Sequence, residues 1–195
     1  MWEIPKAGDC LSVCSSGTTL TKKRTTERKE VMEIRKATIQ DLMTVTALEA
    51  ECFPAAEAAP MQQFQERLTA YPDHFWLLFD GDRLVSFVNG MVTDEPDLSD
   101  EMYEDATMHR EDGRWQMIFG VDTLPEYRRQ GCAGMVLRRV IEDARRQGRE
   151  GLVLTCKDKL IHYYAKFGFV NEGISESVHG NAVWYQMRLR FAGQA

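Results

Sequence analysis

The sequence predicts a mixed α+β domain in which one central mixed β-sheet of about seven strands is flanked by four helices. Asp80-Gly81-Asp82 separates two apolar runs, which is typical of a β-hairpin. A basic, glycine-bearing loop at residues 127–134 lies between a strand-like run and an amphipathic run, and a further apolar run follows, which indicates a strand–helix–strand unit. Two alternating segments near the C-terminus complete the predicted order, β-α-α-β-β-β-α-β-α-β-β.

The first elements are predicted to be a strand and two helices. Residues 32–37 alternate apolar and polar side chains, as in a short strand, and residues 39–52 repeat apolar side chains at helical spacing. Pro54 ends this helix because the residue before a proline avoids the α region. Pro60 suits the first turn of a second helix, which Pro72 stops.

Three strands and an acidic segment are predicted next. Residues 74–79 and 83–92 flank the hairpin turn, and residues 114–121 form the following strand. Residues 93–113 contain nine carboxylates and a single basic residue, Arg110. This acidic segment is interpreted either as a solvated loop or short helix, or as an acidic rim that attracts amines.

The third predicted helix follows the loop and buries a stripe of apolar side chains between Met135 and Gln147. Gly148 suits its C-terminal end. Residues 151–156 form an apolar run of strand length, which favours a strand covered on both faces. The domain ends with a short helix and a two-stranded hairpin, at residues 160–167, 169–175 and 182–189.

Length and composition predict one domain, at residues 31–191. A chain of 195 residues, 44% of them hydrophobic, can bury one good core. Residues 1–30 are rich in Ser, Thr and Lys without a helical or strand period, and are predicted to form a mobile N-terminal tail or extension. Because Met32 opens the first patterned segment, the sequence leaves Met1 and Met32 as alternative starts.

Charge and cysteine usage limit the partners and the compartment. The net charge of −6 argues against nucleic acid as a partner. No apolar run reaches the ~18–20 residues of a membrane span, so no membrane partner is expected. Five cysteines, an odd number, indicate reduced thiols and a cytoplasmic protein. Cys10 and Cys14 have no second pair or nearby histidine, and no metal is predicted.

The loop Tyr127–Gly134 has the clearest chemical use. Gly131 and Gly134 allow the backbone to pass close to a bulky anion. The helix that follows points its unpaired N–H groups and the positive end of its dipole at that anion. A diphosphate is the ligand that best suits such a site. The alternative is a glycine-containing turn before an ordinary surface helix.

Three segments carry a resemblance to a known superfamily. Arg128-Arg129-Gln130-Gly131-Cys132-Ala133 fits the pattern Arg/Gln-x-x-Gly-x-Gly/Ala at every fixed position, and residues 125–127 and 163–169 accompany it in the expected order. The chain thereby resembles the GNAT superfamily of acetyl-CoA-dependent N-acetyltransferases. The resemblance covers Met32 to Leu189 and implies the same mixed α+β fold.

Within the superfamily the chain looks most like the serotonin (arylalkylamine) N-acetyltransferase branch. Three segments carry this likeness, at residues 49–53, 154–160 and 164–169. That branch commonly has two histidines on the fourth strand as a proton path, whereas the matching positions here are Met117 and Phe119. This departure leaves both the general base and the arylalkylamine acceptor open.

The resemblance implies acetyl-CoA as co-substrate and a set of residues that hold it. Backbone N–H groups from Gln130 to Gly134, with the charges of Arg128 and Arg129, would hold the diphosphate. The backbone N–H of Val121 would face the thioester carbonyl. The implied binding residues are Val121, Arg128, Arg129, Gln130, Gly131, Cys132, Ala133 and Gly134.

The resemblance also implies a catalytic acid. Tyr164 matches the family position that protonates the leaving thiolate, and a phenol with a pKa near ~10 is protonated at neutral pH. The alternative for Tyr164 is simple aromatic packing. Tyr163 lies about 100° away around the helix and is expected to pack in the core. Some group must also take a proton from the amine, and the candidates for this base are Glu51, His109 and Asp122.

The expected function is acetyl-CoA-dependent N-acetyl transfer by direct attack of a small primary amine on the thioester. One alternative is a non-catalytic acyl-CoA-binding or sensing module, and another is an acetyltransferase for a protein N-terminus or lysine. An open groove across the sheet would favour a peptide. A closed aromatic pocket would favour a small amine, and its expected residues are Phe53, Phe64, Trp76 and Trp115. The sequence leaves the oligomeric state open between monomer and homodimer.

Overall fold

The computed structural model describes residues 32–192, in which nine β-strands and five α-helices contain the predicted order of elements together with two further strands and one further helix. The strands are β1 Met32–Lys36, β2 Phe75–Asp80, β3 Arg83–Asn89, β4 Val92–Thr93, β5 Trp115–Ile118, β6 Gly120–Thr123, β7 Gly151–Cys156, β8 Val170–Ile174 and β9 Tyr185–Arg190. The helices are α1 Leu42–Cys52, α2 Met61–Ala70, α3 Glu101–Glu104, α4 Cys132–Arg146 and α5 Ile161–Ala165. The predicted tail, Cys10 and Cys14 lie outside the described residues. Between residues 32 and 192, no helix combines the length and the apolarity needed to cross a membrane.

The strands form two sheets where the sequence predicts one. The first sheet has the order β1-β2-β3-β6 and is antiparallel throughout. The second has the order β4-β5-β7-β9-β8, and its β5 and β7 are parallel. In the chain, α4 lies between the parallel strands β5 and β7. The predicted strand–helix–strand unit is therefore confirmed, with β6 added between β5 and α4.

The division between the sheets lies at Phe119, inside the predicted strand 114–121. The N–H of Met117 donates to the Met91 carbonyl (2.8 Å), whereas the N–H of Phe119 donates to the Asn89 carbonyl (2.8 Å). Between these two acceptors lies Gly90, where a Cβ would be 1.8 Å from the Met117 carbonyl oxygen, so only glycine permits this approach. As a result β5 pairs with β7, β6 pairs with β3, and a gap lies between β6 and β7.

The edge of β6 that faces the gap offers unpaired backbone groups. The N–H of Leu124 donates to the Val85 carbonyl (3.0 Å), and Asp122 lies opposite Phe87. Because alternate residues of an antiparallel pair exchange hydrogen bonds, Val121 directs its N–H and C=O away from β3. In the part of the chain that the structure describes, β6 has no strand partner on that side.

The core places two helix ends at this gap. α4 packs on β2 and β3 through the predicted apolar stripe, of which Val136, Leu137, Val140 and Ala144 are buried and Met135 and Ile141 are half-buried. On the same face the Trp76 indole donates to the Asp143 carboxylate (2.7 Å), and the Lys36 ammonium lies 3.3 Å from it. α1 packs against α2, β3 and β6, and its last residue, Cys52, donates to the Thr123 carbonyl (3.3 Å). The start of α4 and the end of α1 therefore both border the gap.

Candidate active site

A groove of about 750 Å³ lies beside the gap. It is lined by most of the residues predicted to bind the co-substrate, namely Val121, Arg128, Arg129, Gly131, Cys132, Ala133 and Gly134. The exposed side chain of Gln130 is directed elsewhere, since its amide donates to the Glu126 carbonyl. Any contact of Gln130 with a ligand in the groove would therefore come from its backbone.

The helix α4 begins at Cys132, inside the predicted loop and earlier than the predicted Met135. Gly131 precedes it with φ of 89°, a left-handed conformation that costs glycine little. Arg129 also has a positive φ, 63°. Because the first N–H groups of a helix have no partner within it, those of Cys132 to Gly134 are available at the end of the groove.

Gly134 has a packing reason to be glycine. A Cβ at this position would lie 3.3 Å from Cζ of Phe167 and 3.7 Å from the hydroxyl of Tyr163. The missing side chain thus lets α4 approach the turn after α5. The left-handed backbone that lets the chain pass a bulky anion belongs to Gly131, around which a Cβ would meet no atom within 4 Å.

The end of the groove at α4 is positive. The Arg128 guanidinium donates from Nε to the Thr123 carbonyl (3.1 Å) and lies along the wall, and Arg129 lies beside it. These two charges join the positive end of the α4 dipole, which suits an anion such as a diphosphate. Lys157 also lines the groove but is paired with Glu57 (2.7 Å).

A cavity of about 350 Å³ adjoins the groove. The two spaces share six lining residues, Phe53, Glu57, Val121, Leu160, Tyr164 and Trp184. Val121 and Tyr164 therefore stand where the cavity meets the groove. Four charged side chains, those of Glu49, Arg67, Asp100 and Glu104, line the cavity but not the groove.

Contacts between three segments close the cavity over the sheet. Tyr103 stacks on His179, with ring centroids 5.3 Å apart and an interplanar angle of 16°. The Nε2 atom of His179 lies 3.0 Å from the Glu57 carbonyl, and Asp100 accepts the Val178 N–H (3.0 Å). The turn after α1, the α3 region and the β8–β9 connection are thereby joined, and together they cover part of the space.

The cavity walls are aromatic, but the residues differ from those expected. Phe64, Trp76 and Trp115 lie in the core, and Phe53 is the one expected aromatic residue that lines the cavity. Trp76 is turned away because its indole binds Asp143 on α4. The other rings of the wall belong to Tyr103, Phe119, Tyr164, His179 and Trp184.

Tyr164 is buried on α5 at the junction of cavity and groove. Its ring packs edge-on against Phe169 (6.1 Å between centroids) and Tyr163 (5.3 Å). Burial, and after it the neighbouring Cys156, raise the pKa of Tyr164 above its ordinary value, so its hydroxyl is protonated at neutral pH. Tyr163, which was expected in the core, is half-buried and lines the groove.

Glu49 is a buried carboxyl in the cavity wall, and sequence reasoning did not select it. One of its oxygens accepts the Ala59 N–H (3.1 Å), and the other has no donor among residues 32–192. Burial raises the pKa of Glu49, although the Ala59 N–H, Asp122 and Arg67 oppose the shift. A carboxyl with a raised pKa beside a cavity is suited to act as a general base.

Asp122 was predicted just past the fourth strand but lies within β6. It is buried, and neither of its oxygens has a donor in the described part of the chain. Burial, followed by the charge of Glu49, raises the pKa of Asp122 well above its ordinary value. Burial and the charge of Glu49 thus favour the neutral form of Asp122, so Glu49 is the member of the pair that ionises first.

The structure does not bring the other two predicted bases to the cavity. Glu51 is exposed and borders a separate depression together with Asp82 and Arg83. His109 stacks on Tyr71, with ring centroids 4.7 Å apart, beyond the cavity lining.

His109 belongs to a group that could hold a metal ion by distance. The ligand atoms of His74, His109 and Glu111 lie within 4.8 Å of one another, and no other such group occurs in residues 32–192. However, the Val92 N–H donates to Nδ1 of His109 (3.2 Å), so the proton of this imidazole is on Nε2, which lies 3.2 Å from Glu111. In this tautomer Nε2 of His109, the nitrogen that is near Glu111, carries a proton. It is therefore a hydrogen-bond donor and has no free lone pair to bind a metal ion.

The acidic segment does not form a continuous rim. Ion pairs engage three of its nine carboxylates, Asp94 with Arg114, Asp97 with Arg188 and Glu111 with Arg149. Of the others, Asp100 and Glu104 line the cavity. The negative charge that this segment places beside the cavity therefore comes from Asp100 and Glu104, at the two ends of α3.

Two charged residues of the cavity carry a sequence signal that could have identified them. Glu49 follows Val45 by one helical turn, so it lies on the buried stripe of α1. Arg67 lies between Phe64 and Tyr71 on the buried stripe of α2 in the same way. A charged residue on an apolar helical stripe is a candidate for a buried site, since charges are rarely buried without a partner.

Comparison with known proteins places the chain in a family. A model described as the acetyltransferase (GNAT) family matches residues 42–169, more than half of the chain. Over 160 residues the chain is 28% identical to the serotonin N-acetyltransferase of Mesocricetus auratus, covering 80% of this chain and 76% of that protein.

Solved structures share the fold. The loading GNATL domain of CurA from Lyngbya majuscula superposes with a TM-score of 0.71 at 17% identity, covering 82% of this chain and 98% of that one. The GphF GNAT-like decarboxylase in complex with isobutyryl-CoA superposes with a TM-score of 0.70 at 22% identity, covering 81% and 98%. The phosphate-loop motif, the divided sheet and the family match agree, and the chain belongs to the acetyltransferase (GNAT) family.

Proposed function

We propose that the protein is an acetyl-CoA-dependent N-acetyltransferase whose acceptor is a small amine. The observation that carries the proposal is that a groove with a positive end meets a partly covered cavity at Val121 and Tyr164, and Glu49 lines that cavity. The groove suits a thioester with a diphosphate tail, and the cavity suits an amine. The likeness to a GphF structure that holds isobutyryl-CoA and to a serotonin N-acetyltransferase supports both assignments.

The backbone would provide most of the contacts to acetyl-CoA. N–H groups of the first turn of α4, with Arg128 and Arg129, would hold the diphosphate. The arm that ends in the thioester would extend along the unpaired edge of β6, where the Val121 N–H can donate to the thioester carbonyl. A donor placed there also stabilises the negative charge that develops on that oxygen during attack, an effect of about 3 kcal/mol.

Transfer requires that the amine lose a proton and that the thiolate gain one. As the amine nitrogen bonds to the carbonyl carbon, the carboxylate of Glu49 accepts a proton from that nitrogen. Neutral Asp122 supports this role because it leaves the charge of the pair on Glu49. When the carbon–sulfur bond breaks, the Tyr164 hydroxyl gives its proton to the sulfur, and the tyrosinate then recovers a proton from solvent while Glu49 releases to solvent the proton that it accepted. The products are the amide and the free thiol.

The size of the cavity favours a small amine over a protein N-terminus or lysine. A peptide needs an open path across the sheet, whereas the Tyr103–His179 stack and the Asp100–Val178 hydrogen bond close the space above it. A volume of about 350 Å³ lies within the range of small-molecule pockets. The aromatic walls suit an acceptor with an apolar body.

The main rival is a non-catalytic acyl-CoA-binding module, motivated by Met117 and Phe119 at positions where related enzymes have histidines. The absence of these histidines does not leave the cavity without a candidate base, because Glu49 places a carboxylate in its wall. An amine panel separates the two proposals. Thiol release from acetyl-CoA on adding an amine supports the enzyme, whereas binding of CoA without turnover of any amine supports the module.

Tyr164→Phe tests the assignment of the acid. We expect kcat to fall by about 10²-fold or more, because the thiolate then leaves without a proton donor, while the Kd for CoA changes by less than about twofold. Tyr163→Phe is the matched control, since it removes a hydroxyl from the neighbouring residue of the same groove, and its kcat should stay near that of the wild type. Unchanged kcat in Tyr164→Phe would exclude Tyr164 as the acid.

A further inference from the structure

Arg67 is a buried cation in the cavity wall without an anionic partner. Its side chain is 3% exposed and lies over the ring of Phe119, 4.9 Å from the centroid. Nη2 donates to the Tyr103 carbonyl (2.6 Å) and to Oε1 of Gln63 (3.2 Å), and Nη1 donates to Oδ1 of Asn89 (3.4 Å). No carboxylate of residues 32–192 forms an ion pair with it.

This arrangement differs from that of the other buried arginines. Arg188 is paired with Asp97 (2.5 Å) and Glu172 (2.9 Å), and Arg149 is paired with Glu111 (3.0 Å). A buried charge that neutral groups hold in place still bears the cost of its desolvation. The guanidinium of Arg67 is thus positioned by its neighbours but not neutralised by them, which is how an anion-binding residue is prepared for a ligand.

We infer that the acceptor amine also bears a carboxylate and that Arg67 binds this carboxylate inside the cavity. The inference rests on the proposed function for the amine and adds the second charged group of the acceptor. The cavity then offers Glu49 to the ammonium group, Arg67 to the carboxylate and aromatic walls to the body of the acceptor. The substrate class that matches these three features is an amino acid with an aromatic or apolar side chain.

Another role for Arg67 would be long-range balance of the Glu49 charge. That role predicts a different result, because loss of Arg67 would then impair every acceptor equally. Matched ligands that differ only in the carboxylate separate the two roles.

Binding of product analogues tests the inference without requiring turnover. N-acetyl-L-phenylalanine is compared with N-phenethylacetamide, and N-acetyl-L-tryptophan with N-acetyltryptamine, by titration calorimetry. For the wild type we expect at least one carboxylate ligand to bind about tenfold or more tightly than its partner. Arg67→Met should abolish the difference, and Arg67→Lys should retain part of it. Arg114→Met, which removes an exposed guanidinium outside the cavity, should leave it intact.

Kinetics with the corresponding acceptors give the second test. Arg67→Met should lower kcat/KM for L-phenylalanine or L-tryptophan by about 10²-fold and change that for phenethylamine or tryptamine by less than about threefold. Absence of preference in the wild type, or an equal loss for both members of a pair, overturns the inference. Selective carboxylate binding without any turnover overturns the proposed function and retains the inference. If circular dichroism shows that Arg67→Met does not fold, the inference is tested by the carboxylate preference of the wild type and by its partial loss in Arg67→Lys.

Discussion

Glu49 and Glu51 show how two residues of one helix differ in chemical use. They are two positions apart on α1, so their side chains point to nearly opposite sides. Glu49 is buried against the cavity and has a raised pKa, whereas Glu51 is exposed at a separate depression. At the scale of single residues, the direction of a side chain decides whether a carboxyl can meet the acceptor.

Glu49→Gln should remove the general base while preserving the shape of the side chain. We expect kcat to fall by about 10²–10⁴-fold, the usual contribution of a positioned base. In the wild type, activity should rise with pH as Glu49 loses its proton. Because burial raises its pKa, this limb should lie above the usual ~4.3 of glutamate. The variant should lose the limb.

Glu51→Gln is the control for this prediction. It makes the same change on the same helix outside the cavity, so both the rate and the acid limb should persist. A pH–rate profile from pH 5 to 9 measures both variants. Retention of the acid limb in Glu49→Gln would assign it to another group and remove Glu49 from the mechanism.

The site could be predicted from the sequence where a local motif carries it. Residues 128–133 and Tyr164 follow from short patterns, and the structure places Tyr164 beside the groove that the loop lines. Glu49 and Arg67 form no motif with their neighbours in sequence. They lie at the same cavity because α1 and α2 pack against each other, which is a property of tertiary structure.

At the scale of elements, the sequence predicts the order of strands and helices but not the division of the sheet. Residues 115–118 are buried on both faces, as is most of β6, so the pattern of apolar residues is continuous across Phe119. The interruption is imposed by the neighbouring strand, where Gly90 lets the Met117 carbonyl approach. Periodicity detects a strand but cannot detect a change of partner.

In the proposed function, binding of the donor depends on the turn into α4. Gly131→Ala should weaken CoA binding by about tenfold, because an alanine at φ of 89° costs about 1–2 kcal/mol and the turn would relax away from the first N–H groups. No atom lies within 4 Å of the added Cβ, so the effect would come from backbone strain and not from a clash. Calorimetry with CoA measures the Kd.

Gly148→Ala is the matched control at the other end of the same helix. Gly148 has φ of 78° and, like Gly131, no atom within 4 Å of a Cβ. The Gly148→Ala variant should lower the midpoint of thermal unfolding by about as much as Gly131→Ala does, and it should leave the Kd for CoA unchanged. Equal losses of affinity in both variants would mean that helix stability, and not the geometry of the turn, controls binding.

At the scale of the whole molecule, two buried aspartates affect stability with opposite signs. Burial tends to raise the pKa of Asp143, but hydrogen bonds from Trp76 and Arg139 and the charge of Lys36 outweigh it and lower that pKa to about 2. Burial and the charge of Glu49 raise the pKa of Asp122. The folded chain thus stabilises the ionised form of Asp143 and the neutral form of Asp122.

These shifts predict opposite pH dependence for two Asp→Asn variants. An unfolded aspartate titrates near ~3.9, so above that pH the unfolded state has released the proton that folded Asp122 keeps. Asp122 therefore destabilises the fold increasingly as the pH rises from about 4 toward its raised folded pKa. Asp122→Asn should add roughly 1–3 kcal/mol to the free energy of unfolding at pH 8 and little at pH 4.

Asp143→Asn should show the reverse. The stability that Asp143 provides is complete above pH ~4 and is lost as the pH falls toward 2, so the variant should lose roughly 1–3 kcal/mol at pH 7 and less near pH 3. Urea unfolding of both variants from pH 3 to 8 measures the two slopes. Parallel slopes for Asp122→Asn and the wild type would show that Asp122 is ionised in the folded state, which would also move the charge of the carboxyl pair away from Glu49. The cost that Asp122 imposes on the fold is therefore tied to the charge of Glu49, the proposed base, and one unfolding experiment examines both.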